Sequence, residues 1–207
     1  MQTKRCFRSI LIGVDDYTHA IKQIDNLIAE EEYGRAVPLL NAILIEDPDY
    51  LEALWRLGLC WVELEKPDKA IKALTYYFSF VKDNPRALEA FGCACFKTGE
   101  LKEAQNYLEK AKLLNPASSS VERNLGVVYN QLGSFEKSYK AMKRSFKLNP
   151  LDYRTMYALA SAHFYFGNYP KAVELVETML SMEIPDEFKS MAMVIKRFLD
   201  TKMDIEE

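Results

Sequence analysis

Residues 125–142 read LGVVYNQLGSFEKSYKAM, and their apolar side chains recur at the spacing of one helix face. Gly126 lies inside this run, where a glycine costs about 1 kcal/mol relative to alanine. Steps of 34 residues lead back to Gly92 and Gly58 and forward to Ala160. The glycine therefore belongs to an internal repeat, and the other copies explain it.

Further series of residues keep the same step. Small residues stand at Ala36, Ala70, Ala104, Ser138 and Ala172, turn glycines at Gly99, Gly133 and Gly167, and prolines at Pro48, Pro116 and Pro150. A side chain at the place of Gly126 would push two packed helices apart. The small residues therefore predict where the two helices of a hairpin cross, and the helix contact there outweighs the cost of the glycine.

This pattern resembles the tetratricopeptide repeat (TPR) family, whose 34-residue unit is a helix, a turn and a second helix. The repeats in register are 17–50, 51–84, 85–118, 119–152 and 153–186. The resemblance implies an all-α fold, a right-handed superhelical solenoid in which each repeat contributes a helix A and a helix B. Helix B is expected to carry its core residues at Leu40, Leu74, Leu108, Met142 and Val176.

The repeats depart from the family pattern at three places. Repeat 1 has Ile24 at the glycine place, which predicts looser packing of its two helices. Asn84 and Pro85 predict an N-cap followed by a proline at the first helical position. Ser119 and Glu122 predict a capping box at the start of repeat 4.

The two ends of the chain lie outside the five repeats. We expect residues 1–16 to form an N-terminal arm or cap, and residues 187–207 to form a C-terminal capping helix and an acidic tail. The capping helix has its apolar stripe at Phe188, Met191, Ile195, Phe198 and Leu199. A solenoid end needs such a cover, although a dimerisation or docking helix is the alternative interpretation.

Composition excludes several classes of protein. The chain is 49% hydrophobic and 28% charged, with a net charge of −3, so no basic field favours nucleic acid. No apolar run approaches the roughly 20 residues that span a bilayer, so we expect no membrane insertion. The segment 1–16 imitates a signal peptide only briefly, because Asp15 and Asp16 follow a short apolar run. We therefore expect a cytoplasmic protein.

The residues that carry chemistry do not form a recognisable site. None of Cys6, Cys60, Cys93 and Cys95 belongs to a C-x-x-C pair. His163 falls at a place that holds packing residues in the other repeats, and no glycine-rich phosphate loop is present. We expect no enzyme activity, no catalytic residue, no cofactor and no metal site.

The resemblance implies that the A helices line a concave binding groove. The residues of the predicted partner-binding groove are Trp55, Arg56, Leu59, Val62, Phe96, Arg123, Asn124, Val127, Asn130, Arg154, Tyr157 and Phe164. Their apolar and aromatic members predict a binding surface, and the arginines and asparagines predict contacts to peptide carbonyls or carboxylates. We expect the partner to be a protein or peptide segment.

One known use of the fold does not match. TPR co-chaperones of Hsp70 and Hsp90 bind an acidic C-terminus with a carboxylate clamp of lysine, asparagine and arginine. Here Glu89 and Cys93 occupy the first two clamp places, and Ala158 replaces the last. Only Asn124 and Arg154 match, so we expect this chain not to be a clamp protein.

The sequence therefore favours a non-enzymatic adaptor or chaperone that holds a partner segment in the groove. One alternative is a protein similar to the type III secretion translocator chaperones, which are small acidic TPR chains with three repeats and a trailing helix. The other is a self-assembling TPR scaffold, a homo-oligomer formed through the N-terminal arm or the C-terminal helix.

Overall fold

The computed structural model describes residues 17–206, with side chains for residues 17–202. The N-terminal arm or cap predicted at 1–16 lies outside the described residues. Within them the chain is helical with no strand, which confirms the all-α prediction. None of the described helices is long and apolar enough to cross a membrane.

The helices form two compact units, divided between Leu114 and Asn115. Unit 1 contains α1 (Thr18–Ala29), α2 (Tyr33–Glu46), α3 (Leu51–Glu63), α4 (Pro67–Phe78), α5 (Pro85–Lys97) and α6 (Leu101–Leu114). Unit 2 contains α7 (Ser119–Gln131), α8 (Phe135–Leu148), α9 (Tyr153–Tyr165), α10 (Tyr169–Leu180) and α11 (Asp186–Glu206). Within each unit, consecutive helices pack as hairpins, and α11 covers α10 and part of α9.

The turn inside each hairpin has one repeated geometry. The backbone N–H just past the left-handed residue that ends helix A donates to a carbonyl in the last helical turn, for example from Ser134 to Tyr129 at 2.8 Å. The left-handed residue itself has a φ of 71° at Gly133 and 86° at Gly99. This is a Schellman C-cap, and it explains the turn glycines of the sequence.

Two of these turns lack the glycine. Glu31 and Glu65 hold the left-handed place in the first two hairpins, with φ of 58° and 55°. A side chain there clashes with the backbone. The first two hairpins of unit 1 therefore contain local strain that the later ones avoid.

Replacing Glu31 by glycine is expected to raise the free energy of unfolding of unit 1 by about 0.5–1 kcal/mol. Urea unfolding followed by tryptophan fluorescence measures it, because Trp55 and Trp61 both lie in unit 1. Gly99→Ala is the control: its Cβ atom would meet open space, so it should lower stability through the backbone alone. Unchanged midpoints for both variants would contradict this account of the turns.

The predicted helix crossings are confirmed by the atoms around the small residues. A Cβ atom built at Gly58 would lie 2.4 Å from Cγ of Leu74, and one at Gly92 would lie 2.7 Å from Cγ of Leu108. At Gly126 the nearest atom is Cε of Met142, at 2.7 Å. Helix A therefore contacts the buried core residue of helix B at the place where helix A has a glycine and so no side chain. In the first hairpin, where Ile24 fills this place, fewer residues of the two helices lie close to each other than in the later hairpins.

The predicted helix starts have different outcomes. The Asn84 side chain accepts hydrogen bonds from the backbone N–H groups of Arg86 and Ala87, and Pro85 follows at the first helical position, as predicted. The capping box is wrong, because Ser118, and not Ser119, is the N-cap of α7. The carboxylate of Glu122 is buried instead and lies 2.9 Å from Nε of Arg144.

The C-terminal helix packs on the last hairpin, as a capping helix should. Leu199 is fully buried, while Phe188, Met191 and Ile195 are half-buried. The predicted apolar stripe is wrong at Phe198, because 60% of this residue is exposed to solvent. Its place at the edge of the stripe turns it away from α10.

Candidate functional site

Three residues of the predicted groove are packed into unit 1. Trp55, Arg56 and Val62 are buried. Two guanidinium groups lie near the Trp55 ring, with central carbons 4.3 Å (Arg56) and 5.0 Å (Arg86) from its centroid. Its indole N–H donates to Glu52 at 3.1 Å. Trp55 is therefore a packing residue in this arrangement, held by two cations.

Arg56 is fully used within unit 1. Its Nε and Nη2 atoms each donate to a carboxylate oxygen of Asp25 at 2.8 Å, which is a bidentate pair between α1 and α3. Its Nη1 atom donates to the carboxylate of Glu52 at 2.5 Å. Burial lowers the pKa of Arg56, but the two carboxylates more than offset it and raise that pKa above its ordinary value. The guanidinium thus joins two repeats rather than facing a partner.

Arg123 has the equivalent role in unit 2. It donates to the buried carboxylate of Asp152 at 2.5 Å, which also accepts from the Thr155 hydroxyl at 2.8 Å and caps α9 through the N–H of Arg154. Burial alone would raise the pKa of Asp152. The Arg123 charge and these hydrogen bonds outweigh burial, so that pKa lies below its ordinary value.

The remaining predicted groove residues are open to solvent in part or in full. Leu59 and Phe96 in unit 1 are half-buried, as are Asn124, Val127, Tyr157 and Phe164 in unit 2, while Asn130 and Arg154 are exposed. The side chains of these residues, unlike those of the three buried ones, are at least partly open to solvent.

In unit 2 several of the residues that are open to solvent are aromatic. The rings of Phe164, on α9, and Phe198, on α11, lie 6.4 Å apart. Tyr165 is 82% exposed, although it directly follows Phe164. Tyr157 stands two helical turns before Phe164, on the same side of α9. We call Tyr157, Phe164, Tyr165 and Phe198 the aromatic face.

The predicted groove residues include neither Tyr165 nor Phe198. Phe198 is the twelfth residue counted from 187, as Phe164 is the twelfth from 153. Continuing the 34-residue register into the C-terminal helix would therefore have found it. The helical stripe instead grouped Phe198 with the buried residues.

Three of the described residues with reactive side chains, Cys60, Cys95 and His163, are packed against their neighbours. No group of His, Cys, Asp and Glu among them could hold a metal ion. Burial raises the pKa of Cys60 to about 12 and that of Cys95 to about 11, so these thiols are poor nucleophiles at neutral pH. His163 packs edge-on to Tyr139, with ring centroids 5.7 Å apart. Burial lowers its pKa, and Lys171 and Lys143 lower it further.

Solved structures with similar folds include several TPR proteins. A thermophilic TPR protein of Thermus thermophilus superposes with a TM-score of 0.72 at 19% identity, over 86% of this chain and 97% of that one. YrrB, described as a TPR protein with an unusual peptide-binding site, has a TM-score of 0.61 at 19% identity, over 92% and 97% of the two chains. Identities this low show the fold alone.

Similarity in sequence leads to the same class. The BBSome complex member BBS4 homolog of Drosophila melanogaster is 20% identical over 74% of this chain and 32% of its own length. The chain spans about a third or less of the length of the curated relatives that it matches. Models of the tetratricopeptide repeat match residues 27–87, 85–118 and 124–150, together more than half of the chain. The chain therefore belongs to the tetratricopeptide repeat family, whose fold is a scaffold for protein interactions.

Proposed function

We propose that this protein is a non-enzymatic adaptor or chaperone that binds a segment of a partner protein, with the aromatic face of unit 2 as the main contact. The observation that carries the proposal is the exposure of Tyr165 (82%) and Phe198 (60%) beside Phe164. Exposed apolar and aromatic side chains that lie together are typical of interaction sites, whereas single ones are common on any protein surface. TPR repeats bind protein or peptide partners, and these aromatic side chains are suited to that role.

The names of two similar proteins agree with such a role. The Drosophila relative is named as a member of a multi-protein complex, and YrrB is described as having a peptide-binding site. Each description concerns that protein. For this chain, both favour binding of protein segments over catalysis.

The charge beside the aromatic face suggests the chemistry of the segment. Arg154 is exposed and lies one turn before Tyr157 on α9. It is the exposed arginine of the predicted groove, because Asp25 and Asp152 already bind Arg56 and Arg123. A segment with apolar side chains and a nearby acidic residue fits this surface.

Selection from random peptides tests the proposal, because it requires no identified partner. Phage-displayed peptides are selected on the full chain, with the Tyr165→Ser, Phe198→Ser double variant as the counter-selection. We expect apolar peptides with an acidic residue, whose Kd by calorimetry rises about tenfold or more in the double variant. Arg154→Gln should weaken the same peptides less, and only those that contain an acidic residue.

The matched control is the Phe135→Ser, Leu151→Ser double variant. Both residues are exposed and lie in unit 2, outside the aromatic face. This control should bind the selected peptides as the wild type does. Equal loss of binding in both double variants, or equal retention in both, would refute the aromatic face as the site.

A further inference from the structure

The outer surface of α11 carries apolar residues that no described helix covers. Met193 is 51% exposed and Val194 is 52% exposed. On the opposite side of α11, Ala192 and Leu199 are fully buried against the last hairpin. Packing within unit 2 therefore leaves these two apolar residues of α11 uncovered, with the exposed Ser190 and Arg197 one turn before and after them. We call Met193 and Val194 the outer strip.

The 34-residue register allows the outer strip to be compared with the same places in the other A helices. Counted from 187, Met193 and Val194 stand at the seventh and eighth places of a sixth A helix. The corresponding residues of α9, Leu159 and Ala160, are buried. In the complete repeats these two places pack against the repeat's own helix B. An A helix without that partner, such as α11, therefore has an exposed surface whose natural occupant is another helix.

The residue at the eighth place determines how closely a second helix can approach the backbone of α11. In α3, α5 and α7 the place is glycine, and the next helix lies directly on the backbone. In α11 it is valine, so a helix B crossing at the same short distance is excluded sterically. A helix that packs at the ordinary axis separation of about 8–10 Å is compatible with valine and methionine.

The charges along α11 are complementary to those of a second α11 that runs in the opposite direction. With a two-fold axis at Val194, Lys189 is five residues before the centre and Asp200 is six residues after it. These two side chains share one flank of the helix. An antiparallel pair related by a two-fold axis brings equal flanks together, so Lys189 lies within about 1.5 Å, along the axis, of the partner's Asp200.

Glu187 and Lys202 do not repeat this arrangement, because they lie about 60° apart around α11 and Lys202 falls on the side of the buried Leu199. By symmetry the pair of Lys189 with the partner's Asp200 occurs twice. A parallel pair would instead bring opposite flanks of the two helices together, so Lys189 would not meet the partner's Asp200. The antiparallel arrangement also aligns the two helix dipoles favourably.

We propose that the outer strip of α11 pairs antiparallel with α11 of a second copy of this chain, centred on Val194, and so forms a two-fold symmetric dimer. A single helix pair buries less than a standard interface of about 1,600 Å², so the expected Kd is on the order of micromolar. Met193 and Val194 do not belong to the aromatic face, but Phe198 of that face lies one turn after Val194 on α11, so the dimer contact borders it.

Analytical ultracentrifugation of the full chain over about 1–200 µM tests the dimer, a range that brackets a micromolar Kd. The mass should rise from 23.9 kDa toward twice that value with concentration. Val194→Glu should remain monomeric throughout, with an unchanged far-UV circular dichroism spectrum. Leu151→Glu, the same kind of change at another exposed site of unit 2, should dimerise as the wild type does.

A charge exchange distinguishes the antiparallel pair from any other occupant. Lys189→Glu should raise the dimer Kd about tenfold, because it places like charges opposite each other twice. Adding Asp200→Lys to that variant should restore the wild-type Kd, since it re-forms both pairs with the signs exchanged. A monomeric wild type, a dimer insensitive to Val194→Glu, or a double variant as weak as the single one would each overturn the proposal.

Discussion

A single methyl group added at Gly58 is expected to lower the free energy of unfolding of unit 1 by about 2–3 kcal/mol. The new Cβ atom would lie 2.4 Å from Cγ and 2.7 Å from Cδ2 of Leu74, which is fully buried in helix α4. Cγ is the branch point of that side chain, so no rotation of a terminal group relieves the overlap. The gain in helix propensity from Gly to Ala is about 1 kcal/mol, too small to compensate.

Urea unfolding followed by tryptophan fluorescence measures this effect, since both tryptophans report on unit 1. Gly34→Ala is the matched control in the same unit. No atom lies within 4 Å of its added Cβ, so the same substitution in the first turn of α2 should leave stability unchanged or raise it slightly. If both variants lose stability equally, backbone conformation and not close approach explains the repeated spacing of the glycines.

Gly126→Ala should be much milder than Gly58→Ala. Its Cβ atom would meet Cε of Met142 at 2.7 Å and Cγ of the same side chain at 2.9 Å. Methionine is unbranched and adapts to small changes in volume, so this neighbour can move aside. Measured by circular dichroism, the loss should be under about 1 kcal/mol, because the gain in helix propensity opposes the residual strain. A loss as large as at Gly58 would contradict this explanation.

The repeat period predicts more of this structure than any single helix does. One glycine in residues 125–142 is ambiguous, whereas its recurrence identifies a contact between helices, and the atoms around Gly58, Gly92 and Gly126 confirm it. The turn glycines predicted the left-handed places in the same way. A period constrains the backbone because every copy must repeat the same crossing and the same turn.

The period is a weaker guide to side-chain exposure. Trp55 is at a position predicted to line the groove, yet it is buried, with the guanidinium groups of Arg56 and Arg86 near its ring. Phe198 stands at the edge of an apolar stripe and turns out to solvent. Exposure depends on which residues of the adjacent helices reach that point, and those residues differ between repeats. The candidate site is therefore less predictable from the sequence than the fold.

The same limit applies to polar residues. Ser119 and Glu122 have the spacing of a capping box, but Ser118 caps α7 and the Glu122 carboxylate is buried near Arg144. The local sequence is compatible with an N-cap at either Ser118 or Ser119. The contact with Arg144 comes from α8, which the local sequence around Glu122 does not contain.

Asp152→Asn is expected to lower the free energy of unfolding of unit 2 by about 2–3 kcal/mol at pH 7, because it leaves the Arg123 guanidinium without its buried carboxylate. The change also places an amide N–H₂ group near a cation that needs an acceptor. The hydrogen bond from the Arg154 N–H, which caps α9, can remain with the amide oxygen. The loss should therefore come mainly from the ion pair between α7 and α9.

The pH dependence separates this charge effect from loss of packing. The pKa of Asp152 lies below its ordinary value, which is about 3.9 in the unfolded chain. Its stabilisation is then complete above that pH and is lost as the pH falls through the lower folded-state pKa. The difference between wild type and Asp152→Asn should be constant from pH 7 to about 5 and shrink below about pH 4. Urea unfolding by circular dichroism, with hydrogen exchange of residues 153–165, measures it.

An exposed ion pair in the same unit provides the comparison. Glu136 accepts a hydrogen bond from Lys140 at 2.6 Å, and this bond lowers the pKa of Glu136. The pKa of Asp152 is lowered in the same direction by its own partners. The side chains of Glu136 and Lys140 are both in water, which screens the pair. Glu136→Gln should therefore leave stability and hydrogen exchange near wild type at every pH. If it is as destabilising as Asp152→Asn, or if the Asp152→Asn difference persists unchanged at pH 3, burial of the Arg123–Asp152 pair is not what holds α7 against α9.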